Sequence, residues 1–317
     1  MLQFKLLRLG QRLIERGAWF LAPFSFLWGA VSFCKNFLYD RRWLKIHKVD
    51  CAVVSVGNLV AGGTGKTPLV HLLAKRFSKR KVAILSRMKD EALLLQRRLP
   101  RAKVYIGRDR AALAKQAVLE GAELLLLDDG FQHRRLHRDF DLVALDGRDP
   151  FGKGHFLPWG FLRDSPERLK SAHSLFVQEG SFEKAIQIAP KVIRILDLEG
   201  NEIPSIKGVK LGLFCGIAKP EKFKKTVRDL GGEVVEELLL ADHEPLDPTA
   251  FVSRCLKKGA SALIITEKDA VKIKDVKTCL PIYFLEIEIE ILFGGDLWEK
   301  LVEKIDRKID NYATYAR

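Results

Sequence analysis

From residue 51 onward, short apolar runs alternate with segments of helical periodicity. The apolar runs contain almost no polar positions, which is typical of strands buried on both faces of a parallel sheet. In the first half of the chain the predicted strands are Ala52–Val56, Val82–Leu85, Leu124–Leu127 and Leu142–Leu145, and the predicted helices are Pro68–Phe77, Ala92–Arg97 and Ala111–Leu119. The alternation predicts an α/β fold around a parallel sheet.

A loop rich in glycine, proline and aromatic residues interrupts the alternation at Pro150–Pro166. The elements predicted beyond it are strands at Ser174–Val177, Val192–Leu196, Leu211–Cys215, Glu233–Leu239, Ala262–Ile265 and Ile282–Ile287, and helices at Pro220–Leu230, Thr249–Lys258 and Leu297–Ile305. Turn-forming residues cluster at Gly200–Gly208 and indicate a domain boundary. We expect an N-terminal segment over residues 1–48, a first α/β domain over 49–204, and a smaller second α/β domain over 205–317 that closes a cleft.

The chain begins with a basic amphipathic pattern followed by an apolar stretch. Leucines repeat at helical spacing with a stripe of basic residues beside them, namely Leu2, Leu6, Leu9 and Leu13 with Lys5, Arg8, Arg12 and Arg16. The stretch Ala18–Cys34 then carries no charge and is rich in aromatic residues. This combination is typical of a segment that binds a membrane surface.

Other interpretations of Ala18–Cys34 stay open. A buried core helix would show a similar apolar run. A membrane-spanning helix needs about 20 apolar residues, whereas this stretch has 17 and contains Pro23 and Gly29. A cleaved signal peptide is disfavoured, because no convincing small-residue cleavage site follows the stretch.

Composition places the chain among ordinary globular proteins, since 47% of its 317 residues are hydrophobic and 30% are charged. The net charge of +14 favours an anionic partner such as nucleic acid, acidic lipid or a phosphorylated substrate. Half of the excess lies in the first 48 residues, beside the apolar stretch. Nucleic acid is therefore the least favoured of the three, because the charge is not interleaved with stacking aromatics on a sheet.

The five cysteines lie far apart and form no CxxC pair. Their spacing indicates neither a zinc site nor a disulfide framework. A reducing, cytosolic compartment fits this usage.

A glycine-rich loop lies between the first predicted strand and the first predicted helix. It reads Val60, Ala61, Gly62, Gly63, Thr64, Gly65, Lys66 and Thr67, followed by Pro68. Glycines let backbone N–H groups turn onto phosphate oxygens, a lysine reaches the β- and γ-phosphates, and the threonine hydroxyl ligates Mg²⁺. The strict P-loop pattern has glycine where this chain has Val60. The context still predicts binding of ATP, with a chance glycine-rich turn as the alternative.

An acidic pair follows the run of four leucines at Leu124–Leu127. Asp128 and Asp129 at the tip of a buried strand would be costly without a cation. We therefore expect one of them to be a Mg²⁺ partner. The alternative is a pair of solvated loop acids.

Several motifs together resemble the tetraacyldisaccharide 4′-kinase family. They occur in family order over nearly the whole chain: Val56-Gly57-Asn58 leading into GGTGKTP, LDDGFQHRRLHRD (Leu127–Asp139), FLPWGFLRD (Phe156–Asp164), FCGIAKPEKF (Phe214–Phe223), ADHEPLD (Ala241–Asp247) and ITEKDAVKI (Ile265–Ile273). The resemblance implies two α/β/α domains with an active site between them. It implies transfer of the ATP γ-phosphoryl to the 4′-hydroxyl of a tetraacylated glucosamine disaccharide 1-phosphate, giving lipid IVA. It also implies attachment of the N-terminal segment to the cytoplasmic face of the bacterial inner membrane.

The chain departs from the family pattern at two places. Family members usually carry an SRGYG-like stretch, a variable insert and then GDE, whereas here Ser86-Arg87 runs almost directly into Asp90-Glu91. The family's LPAG is Leu157-Pro158-Trp159-Gly160, and its common Arg-Glu is Arg163-Asp164. The shortened loop bears on substrate contacts more than on the chemistry.

The resemblance assigns a catalytic carboxylate to Asp90 and a partner imidazole to His243. A positioned carboxylate can take the proton of a sugar hydroxyl as the phosphoryl group moves. An imidazole can orient that carboxylate or tune its pKa. From the residues alone, Asp90 could instead be the N-cap of the following helix, and a single histidine is more often structural.

Further family positions complete the predicted site. Arg110 would neutralise phosphate charge beside Lys66, or else be a solvated cation at a helix start. Gln132 and His133 would line the metal and nucleotide site. Arg163 would contact a phosphate or the substrate, or else pair with Asp164 or Glu167. Lys268 and Asp269, which follow a strand end in the second domain, would support the site rather than take part in catalysis. Ligands bind outside the carboxyl ends of strands in open α/β sheets, and the groups that directly follow such strand ends here are the P-loop, Asp90, Asp128, Asp129, His243 and Lys268.

A membrane-attached P-loop NTPase acting as a switch or targeting factor is the competing hypothesis. Guanine recognition would require an NKxD-like motif after a strand. Val177-Gln178-Glu179-Gly180 offers only the end of a strand followed by polar residues, and no such motif is found.

Overall fold

The computed structural model describes residues 10, 14, 17–240, 249–273 and 278–315. The chain divides into two compact units. The first contains the described residues within 10–189 together with 289–315, and the second contains the described residues within 190–288. The last part of the chain therefore belongs with the first unit, a division that differs from the boundary expected at residues 204 and 205.

The first unit contains a parallel sheet flanked by helices. Its strands are β1 (Ala52–Gly57), β2 (Val82–Ser86), β3 (Lys103–Ile106), β4 (Leu124–Asp128), β5 (Phe140–Asp146), β6 (Ser174–Gln178) and β7 (Ala185–Asp197), the last continuing into the second unit. Their order is β3-β2-β4-β1-β5-β6-β7, with every pair parallel. The short run Lys103–Ile106 was not predicted as a strand, because only Tyr105 in it is buried.

The helices of the first unit are α1 (Ala22–Asp40), α2 (Lys66–Arg76), α3 (Lys89–Arg98), α4 (Arg110–Leu119) and, from the end of the chain, α8 (Gly295–Tyr315). Leu69 and Leu73 of α2 pack in one apolar cluster with Trp298 and Ile305 of α8, against the inner strands. Ala114 of α4 packs in a second cluster on side chains of β1, β2 and β4. The four leucines of β4 are completely buried between these layers, as predicted.

The second unit repeats the α/β alternation. Its elements are β8 (Lys210–Cys215), α5 (Pro220–Asp229), β9 (Glu233–Leu239), α6 (Thr249–Lys257), β10 (Ala262–Thr266), α7 (Glu267–Ala270) and β11 (Ile282–Phe293), whose last residues belong to the first unit. The order β11-β10-β8-β9 is parallel throughout. The predicted α/β fold class is confirmed.

Helix α1 buries two small polar residues and exposes most of its large apolar ones. Ser25 and Asn36 are its buried residues, whereas Phe26 and Phe33 are 75% and 69% exposed. The core-helix interpretation of Ala18–Cys34 is therefore wrong. Within the described residues, no helix is both long enough and apolar enough to cross a membrane. The amphipathic repeat before residue 17 lies mostly outside the described residues.

Candidate active site

The glycine-rich loop joins the end of β1 to the start of α2. Gly65 is the N-cap of α2 with a left-handed φ of 80°, and Gly62 has a φ of 124°. The left-handed conformation favours glycine at this position, and a Cβ would also displace the amide end of Gln178, whose Nε2 would lie 2.0 Å from it. The loop ends at the free N–H groups of a helix start, which form a ready anion site.

The surroundings of Val60 explain why this position departs from the strict P-loop pattern. Its side chain is 6% exposed and packs in an apolar cluster with Leu59, Phe131 and Leu162. It is not among the residues with a positive φ, and it pairs with Leu162 through a single β-bridge. The adjacent Ala61 N–H donates to the carbonyl oxygen of Phe161 at 2.7 Å. The side chain at position 60 thus points into the core, and glycine is not needed there.

Asn58 clamps the loop, a role that the sequence analysis did not assign. Its Nδ2 donates to Oγ1 of Thr64 at 3.1 Å, and its Oδ1 accepts from Nη1 of Arg163 at 3.0 Å. Its carbonyl oxygen accepts from Nε2 of Gln132 at 2.7 Å. In the sequence, Asn58 is visible only as an asparagine directly after the first strand. Its role depends on Gln132 and Arg163, which lie far along the chain and could not be identified as its partners from the sequence.

Asp128 ends β4 and is 1% exposed. Its Oδ2 accepts from the Thr67 hydroxyl at 3.5 Å, while its buried Oδ1 has no hydrogen-bond partner among the described residues. Burial raises the pKa of Asp128 to about 7; Glu91 adds to that rise and Lys66 opposes it. The solvated-acid alternative is therefore wrong for Asp128. An orphaned buried carboxylate oxygen beside the Thr67 hydroxyl fits the oxygen ligands that Mg²⁺ prefers.

Asp129 forms ion pairs with two basic residues of the site. Its carboxylate accepts two bonds from the Arg163 guanidinium, each at 2.9 Å, and Nζ of Lys66 lies 3.7 Å from Oδ1. Burial acts to raise the pKa of Asp129, but Lys66 and Arg163 together lower it to about 2. The alternative pairing of Arg163 with Asp164 or Glu167 is thus wrong. Asp129 stays ionised at neutral pH and holds both basic groups at the end of β4.

Arg110 is the first residue of α4 and is 3% exposed, so it is not a solvated cation. Its Nη1 donates to the carbonyl oxygen of Asp129 at 2.9 Å. Burial lowers the pKa of the Arg110 guanidinium, while Asp129 and Asp128 raise it. The N-cap of α4 is Asp109, whose Oδ1 accepts from two backbone N–H groups. That cap fixes where α4 starts and so places Arg110 against the acidic pair.

Gln132 and His133 lie just beyond the acidic pair. Oε1 of Gln132 and Nε2 of His133 are buried without a hydrogen-bond partner in the described part of the chain. Burial, with Arg110 and Arg138 nearby, lowers the pKa of His133 to about 4. The imidazole is therefore neutral at pH 7. These orphaned atoms are consistent with a site that takes further polar partners.

Asp90 lies at the start of α3 and is 8% exposed. The N-cap of α3 is Met88, so the interpretation of Asp90 as a helix cap is wrong. Its neighbour Glu91 raises the pKa of Asp128 and so belongs to the electrostatics of the acidic pair, which the sequence analysis missed. The position of β2 next to β4 brings these residues to the same edge of the sheet. His243 lies outside the described residues.

Asp269 has a structural environment in the second unit. Its side chain is completely buried, and Oδ2 accepts from the N–H of Gly216 at 2.9 Å and the hydroxyl of Thr266 at 2.6 Å. Lys272 pairs with Oδ1 at 3.0 Å. Lys268 lies beside it in α7. These contacts hold the ends of β8 and β10 together.

No group of three or more His, Cys, Asp or Glu side chains is placed to hold a metal within the ranges that the structure describes. Mg²⁺ is usually bound by one or two carboxylates together with substrate phosphates and water. Thr67 and Asp128 fit that smaller donor set, whereas both carboxylate oxygens of Asp129 accept from Arg163, so its part in binding Mg²⁺ stays a prediction.

Comparison with known proteins gives the family. The tetraacyldisaccharide-1-P 4′-kinase family model matches residues 17–306. This chain belongs to that family. It is 32% identical to a tetraacyldisaccharide 4′-kinase of Syntrophus aciditrophicus over 86% of this chain and 88% of the other. It is 34% identical to one of Syntrophotalea carbinolica over 89% and 90%.

A solved member of the family has the same fold. It is the "apo" form of LpxK from Aquifex aeolicus in complex with ATP, with a TM-score of 0.73 and 27% sequence identity. The likeness covers 90% of this chain and 98% of that one. The family predicted from the motifs is confirmed, and this 4′-kinase family member is an ATP-dependent kinase.

Proposed function

We propose that this chain transfers the γ-phosphoryl group of ATP to the 4′-hydroxyl of tetraacyldisaccharide 1-phosphate, in lipid A biosynthesis. One observation carries the proposal most directly: Lys66 and Arg163 both meet the Asp129 carboxylate beside the P-loop. Both cations therefore lie beside the loop whose N–H groups bind phosphate. The family membership supports the acceptor.

On the donor side, the P-loop N–H groups and Lys66 bind the phosphates. Arg110 and Arg163 supply positive charge for the transition state, in which charge spreads over the transferred oxygens. Thr67, Asp128 and Asp129 would hold Mg²⁺, which neutralises phosphate charge when it is bound. Asn58 keeps the loop and Arg163 in one arrangement through its two side-chain hydrogen bonds. Gln132 and His133 complete the polar lining.

On the acceptor side, Asp90 accepts the proton of the 4′-hydroxyl as the phosphoryl group moves. Its burial and its place at the carboxyl edge of the sheet support this role. His243 is its proposed partner, which orients the carboxylate. Nucleophile activation by a positioned base is the usual contribution of protein groups to such a transfer.

The outer face of α1 is the proposed membrane contact. Its most exposed aromatic and aliphatic side chains are Phe24, Phe26, Leu27, Val31 and Phe33. Basic residues follow the helix at Arg41, Arg42 and Lys45. An apolar face flanked by cations suits the interface of an anionic bilayer. The acceptor is acylated and the donor is ATP, so we place the enzyme on the cytoplasmic face of the inner membrane.

A switch or targeting NTPase is not favoured, because the family is a kinase family. Its distinguishing behaviour would be nucleotide hydrolysis without a lipid product.

The decisive experiment incubates the purified protein with labelled ATP, Mg²⁺ and tetraacyl disaccharide 1-phosphate. We expect a bisphosphorylated lipid. Lys66→Ala removes the lysine that binds the phosphates and should lower the rate by at least about 100-fold. Lys79→Ala, at an exposed lysine shortly after α2, is the matched control and should leave the rate unchanged. Equal turnover by Lys66→Ala and the wild type would refute the proposed site.

A further inference from the structure

The inner face of α1 is a narrow stripe of small and polar residues. Ser25, Gly29, Ser32 and Asn36 recur at spacings of four, three and four, so they share one face of the helix. The Ser25 hydroxyl donates to the carbonyl oxygen of Phe156 at 2.7 Å. A Cβ on Gly29 would lie 2.9 Å from the ring of Phe156, so the helix approaches this loop closely. The stripe therefore sets a specific docking position for α1.

The polar contacts of this helix reach two segments that carry the nucleotide site. Toward the first, Ser32 and Asn36 donate to Oδ1 of Asp164 at 3.0 Å and 2.7 Å. Toward the second, Lys35 donates to the carbonyl oxygen of Gln132 at 3.0 Å. Asp164 directly follows Arg163, and Gln132 comes three residues after Asp129.

Asp164 depends on α1 for most of its hydrogen bonds. The carboxylate is 3% exposed, and its Oδ1 accepts hydrogen bonds from Ser32 and Asn36 of α1 and from the Ser165 N–H at 2.9 Å. A buried carboxylate that loses donors must shift toward water or other partners. Because Asp164 directly follows Arg163, we expect such a shift to disturb the guanidinium that donates to Asp129 and Asn58.

We propose that Asn36 is a positioning residue that couples the docking of helix α1 on a lipid bilayer to nucleotide binding at the P-loop, through Asp164 and Arg163. This inference rests on the proposed membrane contact of the outer face of α1. One helix carries the lipid-facing surface and the donors that fix Asp164, so a bilayer that orders the helix also orders Arg163. Linkage then requires the reverse effect, with bound nucleotide strengthening the bilayer contact.

The test measures binding of a fluorescent ATP analogue with Mg²⁺, with and without vesicles of phosphatidylethanolamine and phosphatidylglycerol. For the wild type we expect vesicles to tighten nucleotide binding by about fivefold or more. Asn36→Leu keeps the side-chain size and removes the bonds to Asp164 and Arg134. It should still bind vesicles but lose the vesicle effect. Ser32→Ala removes one bond and should show an intermediate effect.

Cys34→Ala is the matched control, because Cys34 is exposed on the same helix and is not one of the residues that donate to Asp164. It should keep the full vesicle effect. Circular dichroism and thermal unfolding establish that each variant is folded. The reciprocal measurement is the affinity for vesicles with and without the ATP analogue. A general loss of packing would not make vesicle affinity depend on the nucleotide.

An unchanged vesicle effect in folded Asn36→Leu would overturn the inference, as would a wild type whose nucleotide affinity ignores vesicles that it binds. A wild type that does not bind vesicles would instead refute the membrane contact. The assay does not use the acceptor lipid, so failure here is distinguishable from a failure to phosphorylate the disaccharide.

Discussion

At the scale of residues, most of the predicted phosphate-handling groups meet in one place. Lys66, Arg163 and Arg110 all contact Asp129, by its carboxylate or its carbonyl oxygen. The residue types and motif spacing singled out these groups, and the structure brings them together. They did not predict that Arg163 would pair with Asp129 rather than with Asp164, because that choice depends on how two distant loops pack.

The P-loop valine gives a test at this scale. Val60→Gly restores the strict P-loop pattern, but it removes a buried side chain and adds backbone freedom. We expect the free energy of unfolding to fall by about 3 kcal/mol, with no gain in ATP affinity. Denaturant unfolding and nucleotide titration measure the two quantities.

Ala61→Gly is the control for the backbone effect alone, since Ala61 is not fully buried. Its loss of stability should be smaller than that of Val60→Gly. Tighter ATP binding in Val60→Gly would show that the valine is a handicap rather than a core residue.

At the scale of elements, the apolar runs located the inner strands well. β1, β2 and β4 are fully buried, and a continuous apolar run is the pattern that such strands require. The pattern was weaker for two long strands. β7 and β11 extend well beyond their predicted runs, and their additional residues include polar ones such as Gln187 and Glu290 that break the continuous apolar run.

Helix α8 shows how tertiary packing extends an element. The sequence predicted Leu297–Ile305, whereas the helix runs from Gly295 to Tyr315. Arg80 donates to Asp306 at 2.7 Å and to Asp310 at 2.8 Å, and Ile309 is buried in the core of the first unit. These partners lie more than 200 residues away along the chain, so local periodicity does not reveal them.

Because α8 packs in the same apolar cluster as the helix that follows the P-loop, its buried side chains should stabilise the unit that contains the nucleotide site. Ile305→Ala truncates a completely buried side chain and should lower the free energy of unfolding by about 2–5 kcal/mol. Unfolding is measured with and without ATP, because bound ATP raises the free energy of unfolding of the unit that contains the P-loop. Leu297→Ala, at a position that is 40% exposed on the same helix, should cost much less. Equal effects of the two substitutions would contradict the described packing.

At the scale of the whole molecule, the positive charge near the N-terminus and the exposed apolar face of α1 lie in the same part of the chain. The sequence carries a net charge of +14 with half of it near the N-terminus. Neither composition nor periodicity distinguished a buried helix from a surface one. The burial of Ser25 and Asn36 decided it, because they orient the remaining aromatic residues outward.

Phe33→Ser tests the membrane contact directly. The side chain is 69% exposed, so the fold should be unaffected. Loss of one phenylalanine from a lipid interface should weaken vesicle binding by about tenfold or more. Phe293→Ser, at an equally exposed phenylalanine that ends β11, is the matched control and should bind vesicles normally. Added salt should weaken binding to anionic vesicles in both variants.

The sequence by itself determined the α/β class, the P-loop, the acidic pair and the family, because each depends on residue types at short spacing. The tertiary structure decided the partners: Asp129 for Arg163, Asn58 for the P-loop, the core for Val60 and Asp164 for the inner face of α1. Such pairings join segments that are distant along the chain. Only the folded sheet, which brings the ends of β1 and β4 together, makes them neighbours.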